Sequence, residues 1–412
     1  MRRRLPAALQ VREFALLWSY SLANGLATQM LAVAIGWQVY SIHRNPLDLG
    51  LVGLAEFVPL PLLALPAGQL ADRMPRRAVT LMSLVFQVAI AVLLVAVTLT
   101  GARRLWPFLG IAALAGVATA VGSPASRALM RELVPIELLQ AAVALRSVAF
   151  QIGIVAGPAL GGVIFAIEPV AVYATAAALF SASLAAIVAL PTIARVTGGE
   201  PPGWRSLVAG VRFVFRTELL LAVIALDLFA VLLGDSISLA PVFARTILHV
   251  GPIGLGALRT APSVGALVAG VMLTRRPLQM PAGRTLLGVI VVFGVGMIVF
   301  GLSKSLPLSL AALALTGFVD MISMNIRSTI GALVTPLSLQ GRVMAVEWTF
   351  IGASNELGAF ESGAVASLIG TVPAVVAGGV AMIGIAALWT RLFPALTRVG
   401  RLADLEPVES VS

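Results

Sequence analysis

The chain has 412 residues, of which 59% are hydrophobic and only 11% charged. A soluble domain carries about 25% charged residues, and a compact globule of this length has too little interior to hide so much apolar surface. The formal net charge of +10 would suggest nucleic acid in a soluble chain. Here the basic residues lie mostly between apolar runs, and 6 Trp and 3 Tyr offer no stacking surface for bases.

The composition is that of an integral membrane protein that does not bind nucleic acid. Apolar runs of about 20 residues read as membrane helices. Six occur at about 14–40, 47–71, 78–100, 105–126, 138–166 and 170–192. Six more follow at about 218–243, 252–274, 285–302, 307–330, 342–369 and 372–393. The first run follows Arg2, Arg3 and Arg4 as a signal peptide would, but it is too long and lacks a small-residue cleavage site, so it reads as a retained helix.

Between the two sets, 193–217 holds the turn-rich stretch Gly198-Gly199-Glu200-Pro201-Pro202-Gly203. Trp204, Leu207, Val208, Val211 and Phe215 then recur at helical spacing, with Arg205, Arg212 and Arg216 among them. This predicts a basic amphipathic helix on the inner membrane surface. The expected organisation is a first half over 1–192, the central loop over 193–217, a second half over 218–393 and a tail over 394–412. Two six-helix halves suggest a duplicated transporter scaffold.

Charge supports an even number of spans. With the N-terminus inside, one side collects Arg2 to Arg4, Arg12, Arg73, Arg76, Arg77, Arg127, Arg131, the central-loop arginines, Arg275, Arg276, Arg284, Arg327, Arg342, Arg391 and the tail arginines. The other side receives only Arg44, Arg103, Arg104, Arg245 and Lys304. The bias places both termini in the cytoplasm. Arg146 and Arg259 fall inside runs. The chain has no Cys, and His43 and His249 are its only histidines, both in short loops, so neither metal nor cofactor is expected.

Two motifs carry a family resemblance. After run 2 the chain reads Gly68-Gln69-Leu70-Ala71-Asp72-Arg73-Met74-Pro75-Arg76-Arg77, which resembles the signature loop of the major facilitator superfamily, with Pro75 where that family usually has Gly. Run 5 contains Gly153, Gly157, Pro158, Gly161 and Gly162 in a spacing that resembles the antiporter motif of the same superfamily. Gly153, Gly157 and Gly161 share one helix face, where another backbone can approach closely, and Pro158 bends the helix. Residues 53–57, 242–245 and 350–363 resemble the branch that includes the enterobactin exporter and drug-efflux proteins. The loop after run 8 places Thr274 where Asp72 stands in the first half.

The resemblance implies an all-α membrane protein of twelve transmembrane helices in two pseudo-symmetric six-helix bundles. It also implies that Gly68, Asp72, Arg73, Arg76 and Arg77 gate the inner side. Runs 1, 4, 7 and 10 would line the central cavity.

Acids inside a membrane are costly and mark function by default. Seven fall in runs: Glu56, Asp227, Asp235, Asp320, Glu347, Glu356 and Glu361. Asp235 and Arg259 lie at matching depth on adjacent antiparallel runs, which predicts a pair, structural or part of an outer gate. Asp227 lies about 12 Å deeper than Asp235 and has no obvious partner. Asp320 shares a helix face with Arg327, about 10 Å away along the axis. On run 11, Glu347 and Glu361 are close to one stripe and Glu356 is on the opposite side.

The proton-coupling candidates are Asp227, Asp320, Glu56, Glu356 and Glu361. Asn24, Gln29, Arg146 and Phe318 are candidates for substrate contact; the competing role is interhelical hydrogen bonding for Asn24 and Gln29, neutralising an acid for Arg146 and plain packing for Phe318. The implied function is a proton-coupled exporter of amphipathic small molecules, siderophore or drugs, working as a monomer in the bacterial inner membrane. Uptake or lipid movement on the same fold is the alternative, as is a sensor that has lost transport. No nucleotide loop or His-Glu-x-x-His motif supports an enzyme.

Overall fold

The computed structural model describes residues 7–101, 103–191, 204–234, 237–276, 279–336 and 339–402, and no strand occurs among them. In chain order the helices are α1 (Arg12–His43), α2 (Pro46–Phe57), α3 (Pro59–Arg73), α4 (Arg76–Leu99), α5 (Trp106–Leu133), α6 (Leu139–Ile167) and α7 (Pro169–Val188). Then come α8 (Trp204–Arg216), α9 (Glu218–Gly234), the short α10 (Ala240–Val242), α11 (Gly251–Arg275), α12 (Ala282–Leu302), α13 (Leu306–Val334), α14 (Gln340–Ile369), α15 (Thr371–Leu392) and α16 (Pro394–Arg398).

Ten of the described helical segments are long and apolar enough to cross a membrane. Two more, α1 with 32 residues and α14 with 30, have the length but carry more polar groups. Asn24, Gln29 and Gln38 lie on the first, and Glu347, Glu356 and Glu361 on the second. Together they account for the twelve apolar runs.

Local chemistry sets the ends. Pro46, Pro107, Pro169 and Pro307 each open a helix, where the missing N–H costs nothing. Asn45 caps α2 by accepting from the Leu47 N–H at 3.0 Å. Arg44 closes α1 in the left-handed region, at φ 55°, with its N–H on the Tyr40 carbonyl. The second apolar run is broken at Val58, because Pro59 has no N–H to continue the ladder. The seventh run ends as a helix at Gly234 and resumes as short turns, with a π-turn over Phe243–Ile247.

By proximity the chain forms two compact units: Met1–Gly198 with Ala244–Thr260, and Gly199–Phe243 with Ala261–Ser412.

In the first unit α1 packs along α6 and α7. A methyl group added at Gly153 would meet Gly25 Cα at 3.2 Å, and one at Gly161 would meet Met30 Cα at 2.9 Å. Only glycine lets these backbones lie so close. Trp18 Nε1 donates to the Leu145 carbonyl at 2.9 Å. Gln38 binds the Thr98 hydroxyl at 3.1 Å and accepts from the Tyr173 hydroxyl at 2.5 Å. The start of α11 joins this unit: a methyl at Gly162 would meet Gly256 Cα at 3.0 Å, and Thr260 donates to the Val155 carbonyl.

In the second unit Leu220, Leu226, Leu286, Ile326, Ile330 and Trp389 form part of a continuous buried core. Trp389 Nε1 donates to the Ala222 carbonyl at 2.9 Å. The described start of the tail packs back on this unit: Leu396 and Val399 are buried, and the Ala282 N–H donates to the Gly400 carbonyl.

Candidate functional site

The second unit contains a cavity of about 400 Å³. Its apolar wall includes Val289, Phe293, Ile351, Met324, Met344 and Met382, and its polar groups are Asp227, Asp320, Ser323, Arg327, Ser328, Glu347 and Asn355. Methionines adapt to irregular ligands. Three helices supply the charges, and a fourth closes the apolar side: α9 brings Asp227, α13 brings Asp320 and Arg327, α14 brings Glu347, and α12 adds Val289 and Phe293.

Arg327 is the hub. Its Nη1 is paired with Asp227 Oδ1, and its Nη2 lies 3.9 Å from Asp320 Oδ1. The Arg327 and Asp227 side chains are 10% and 13% exposed, whereas that of Asp320 is 55% exposed. Glu347 joins Asp227 and Arg327 in lining a smaller adjoining pocket with Phe350. Arg327 Nε and Ser323 Oγ are buried without a hydrogen-bond partner among the described residues. Three carboxyl groups thus surround one guanidinium, and the site still has donors to offer. Such a cluster changes charge with each proton it gains and can accept a cation or a hydrogen-bonding solute.

Two sequence expectations need correction here. Asp227 has a partner: Arg327, which charge counting assigned to the inner surface, lies inside the unit instead. The two residues lie at similar depth. Asp227 is nine residues from the start of α9 and Arg327 seven from the end of α13, or about 13 and 10 Å along the axes. The 10 Å rise between Asp320 and Arg327 does not separate them either. Helical side chains slant toward the N-terminus, and the long arginine reaches back two turns to Asp320. Glu347, read as one acid of a stripe, faces this site, and Glu356 and Glu361 do not line the cavity.

The remaining candidates are placed as follows. Glu56 sits on α2 where its carbonyl meets Gly116 of α5. Asn24 Oδ1 is buried without a hydrogen-bond partner among the described residues. Gln29 packs over Gly157 on the α1–α6 seam. Arg146 is half-buried on α6, within electrostatic reach of Tyr20. Phe318 packs against the core of the second unit and is not part of the cavity wall.

Pro158 is buried in α6, its carbonyl against Gly256. Arg77 donates to the carbonyls of Ile187 and Val188 at the end of α7, where a cation suits the helix terminus. Arg76 opens α4. The side chains of Asp72 and Arg73, and Gly68, lie outside those described, as does Asp235, the expected partner of Arg259. Among the described residues no cluster of His, Cys, Asp and Glu fits a metal ion.

The family model for transmembrane secretion effectors of the major facilitator superfamily matches residues 6–407. The multidrug efflux pump Tap of Mycolicibacterium fortuitum is 26% identical over 85% of this chain and 88% of its own length. The uncharacterised transporter YfiS of Bacillus subtilis is 26% identical over 60% of this chain and 61% of its own. Among solved structures, a bacterial homologue of the lysosomal transporter Spinster superposes with a TM-score of 0.76 at 14% identity, covering 98% of this chain and 99% of that one. A bacterial homologue of ferroportin gives 0.71 at 16% identity, covering 95% and 100%. The fold is that of the major facilitators, and the chain belongs to the transmembrane secretion effectors, a family of multi-pass membrane transporters and not of enzymes.

Proposed function

We propose that the chain is a proton-coupled exporter of amphipathic small molecules, drugs or a siderophore, acting in the inner membrane of a bacterium by alternating access. The observation that carries this reading is Arg327, paired with Asp227 and within 3.9 Å of Asp320 beside an apolar cavity. The similarity to an efflux pump supports the outward direction.

The site's charge count frames the mechanism. With all three carboxyls ionised, the cluster is two negative charges in excess of Arg327. A lipophilic cation entering the cavity cancels part of that excess, with Asp320, the exposed carboxylate, as its first contact. A proton arriving from outside cancels the same charge, so proton and cation compete for one site. Protonation of Asp227 releases Arg327 toward Asp320, which displaces the cation. The cytoplasmic placement of both termini, the gate around Asp72 and Arg73, and action as a monomer belong to the same proposal.

The test uses purified protein in liposomes loaded with a pH-sensitive dye, a proton gradient, and a panel of lipophilic drugs and siderophores. Substrate-dependent proton flux that is lost in Asp227→Asn and Asp320→Asn is the expected result. Flux that survives both changes moves the coupling site to Glu56, Glu356 or Glu361. Folded protein that moves no proton with any compound overturns the reading in favour of uptake, lipid movement or sensing.

A further inference from the structure

Helix α8 has two faces that serve different partners. Its inward face is packed: Gly210 and Val214 are buried, and a methyl added at Gly210 would meet the Arg342 carbonyl of α14 at 3.1 Å. Its outward face is neither a packed surface nor an ordinary solvated one. Arg212, Phe215 and Arg216 are all exposed, and Phe215 is 60% exposed. Sequence spacing sets Phe215 on the apolar stripe, yet the structure leaves it uncovered between two arginines. The helix contains no acid, so nothing on it neutralises these cations.

We infer that α8 docks on anionic lipid headgroups at the membrane surface, with Arg212 and Arg216 binding headgroup phosphates and Phe215 entering the interface between them. The occupant follows from chemistry. An exposed aromatic ring flanked by cations at i−3 and i+1, on a helix joined to a membrane span, is the arrangement of an interfacial anchor. Water alone would leave the ring without a partner, and a neutral surface would leave the arginines without one.

The anchor is tied to the acidic site. Thr217 alone separates α8 from α9: its N–H bonds the Phe213 carbonyl at 3.0 Å and its carbonyl accepts the Leu221 N–H at 3.0 Å, so one residue couples the end of α8 to the start of α9. Asp227 follows nine residues after the start of α9, and Glu347 five residues after Arg342 on α14. Lipid docking therefore holds α9 and α14, which carry two of the three carboxyl groups around Arg327.

The test exploits the absence of cysteine. A spin label is placed at Phe215→Cys in the full chain and the protein is reconstituted in vesicles of phosphatidylcholine with or without phosphatidylglycerol. With phosphatidylglycerol, the label is expected to be reached by oxygen dissolved in the bilayer and shielded from a water-soluble nickel chelate. Each arginine strengthens docking about fivefold. The added change R212Q/R216Q should return the label to water, whereas R212K/R216K, which keeps the charge, should not. High salt should mimic R212Q/R216Q. A label in water in phosphatidylglycerol vesicles overturns the inference. So does one in lipid regardless of phosphatidylglycerol or R212Q/R216Q. Neither readout depends on which solute the protein moves.

Discussion

Each unit has an interior polar network, and the two networks differ in kind. In the first, the interior network is neutral: Gln38 joins Tyr173 and Thr98 through hydrogen bonds at 2.5 to 3.3 Å, linking α1, α4 and α7. In the second, the interior network is ionic, with Arg327 held by Asp227 and facing Asp320. The backbone framework is alike in both. Gly116 brings α5 against the Glu56 carbonyl of α2, and Gly317 brings α13 against the Pro262 carbonyl of α11. A neutral network satisfies every member and needs no ligand. An ionic one with surplus carboxyls is costly in a membrane and persists where charge has work to do. Under the function proposed above, the first network is scaffolding and the second handles solute and proton.

The largest expected effect tests that assignment at its hub. Arg327→Gln leaves Asp227 as a buried carboxylate without its cation, and removing one partner of a buried pair costs about 3–5 kcal/mol. Asp227→Asn should cost less, because Asp320 and Glu347 remain to face Arg327. The double variant D227N/R327Q leaves two neutral groups and should be more stable than the sum of the single effects predicts, while transporting nothing. Thermal unfolding of the purified protein measures all three. Strict additivity would show that the two side chains are not energetically coupled and would dissolve the contrast.

A smaller effect probes the shared framework. Gly161→Leu forces a branched side chain into the backbone of Met30, and overpacking of this kind costs about 1–3 kcal/mol. Gly288 is the control: a Cβ there meets nothing within 4 Å, so Gly288→Leu should leave stability unchanged. Equal sensitivity at both positions would refute the reading of the α1–α6 seam as a close approach.

Much of this framework is legible in the sequence. Run lengths near 20 residues gave helix ends within a few residues over most of the chain, because hydrophobic thickness and helix rise constrain both. The small-residue face of α6 was visible from its four-residue period. The site was only half legible. Composition marked Asp227 and Asp320, since an acid in an apolar run stands out. Arg327 did not stand out, because an arginine near a run's end is what orientation already demands, and side-chain reach is invisible to a count of axial rise. The break at Val58 and the π-turn at Phe243–Ile247 escaped notice because apolarity continues through both.

Asp320→Asn separates stability from binding within the ionic network. At 55% exposed and 3.9 Å from Arg327, this carboxylate should contribute at most about 1 kcal/mol to folding. As first contact for a cation its loss should weaken substrate binding roughly tenfold, in line with a charged hydrogen bond. Titration of the purified protein with a fluorescent lipophilic cation reads the affinity, and Asp320→Glu should restore most of it. A large loss of stability with unchanged affinity would make Asp320 structural.

The smallest effect belongs to the neutral network. Tyr173→Phe removes the hydroxyl that donates to Gln38 Oε1, and an interhelical hydrogen bond inside a membrane averages about 0.6 kcal/mol. The Gln38 oxygen is not orphaned by the change, because the Thr98 hydroxyl still reaches it at 3.3 Å. Gln38→Leu should cost more, because it strands the fully buried Tyr173 hydroxyl, and an unsatisfied buried group costs about 1–3 kcal/mol. Adding Tyr173→Phe to Gln38→Leu should then recover stability, since the stranded group is gone. Proton flux should follow none of these changes. Flux that falls with Tyr173→Phe at unchanged stability would place the first unit's network in the transport chemistry and erase the division of labour between the two units.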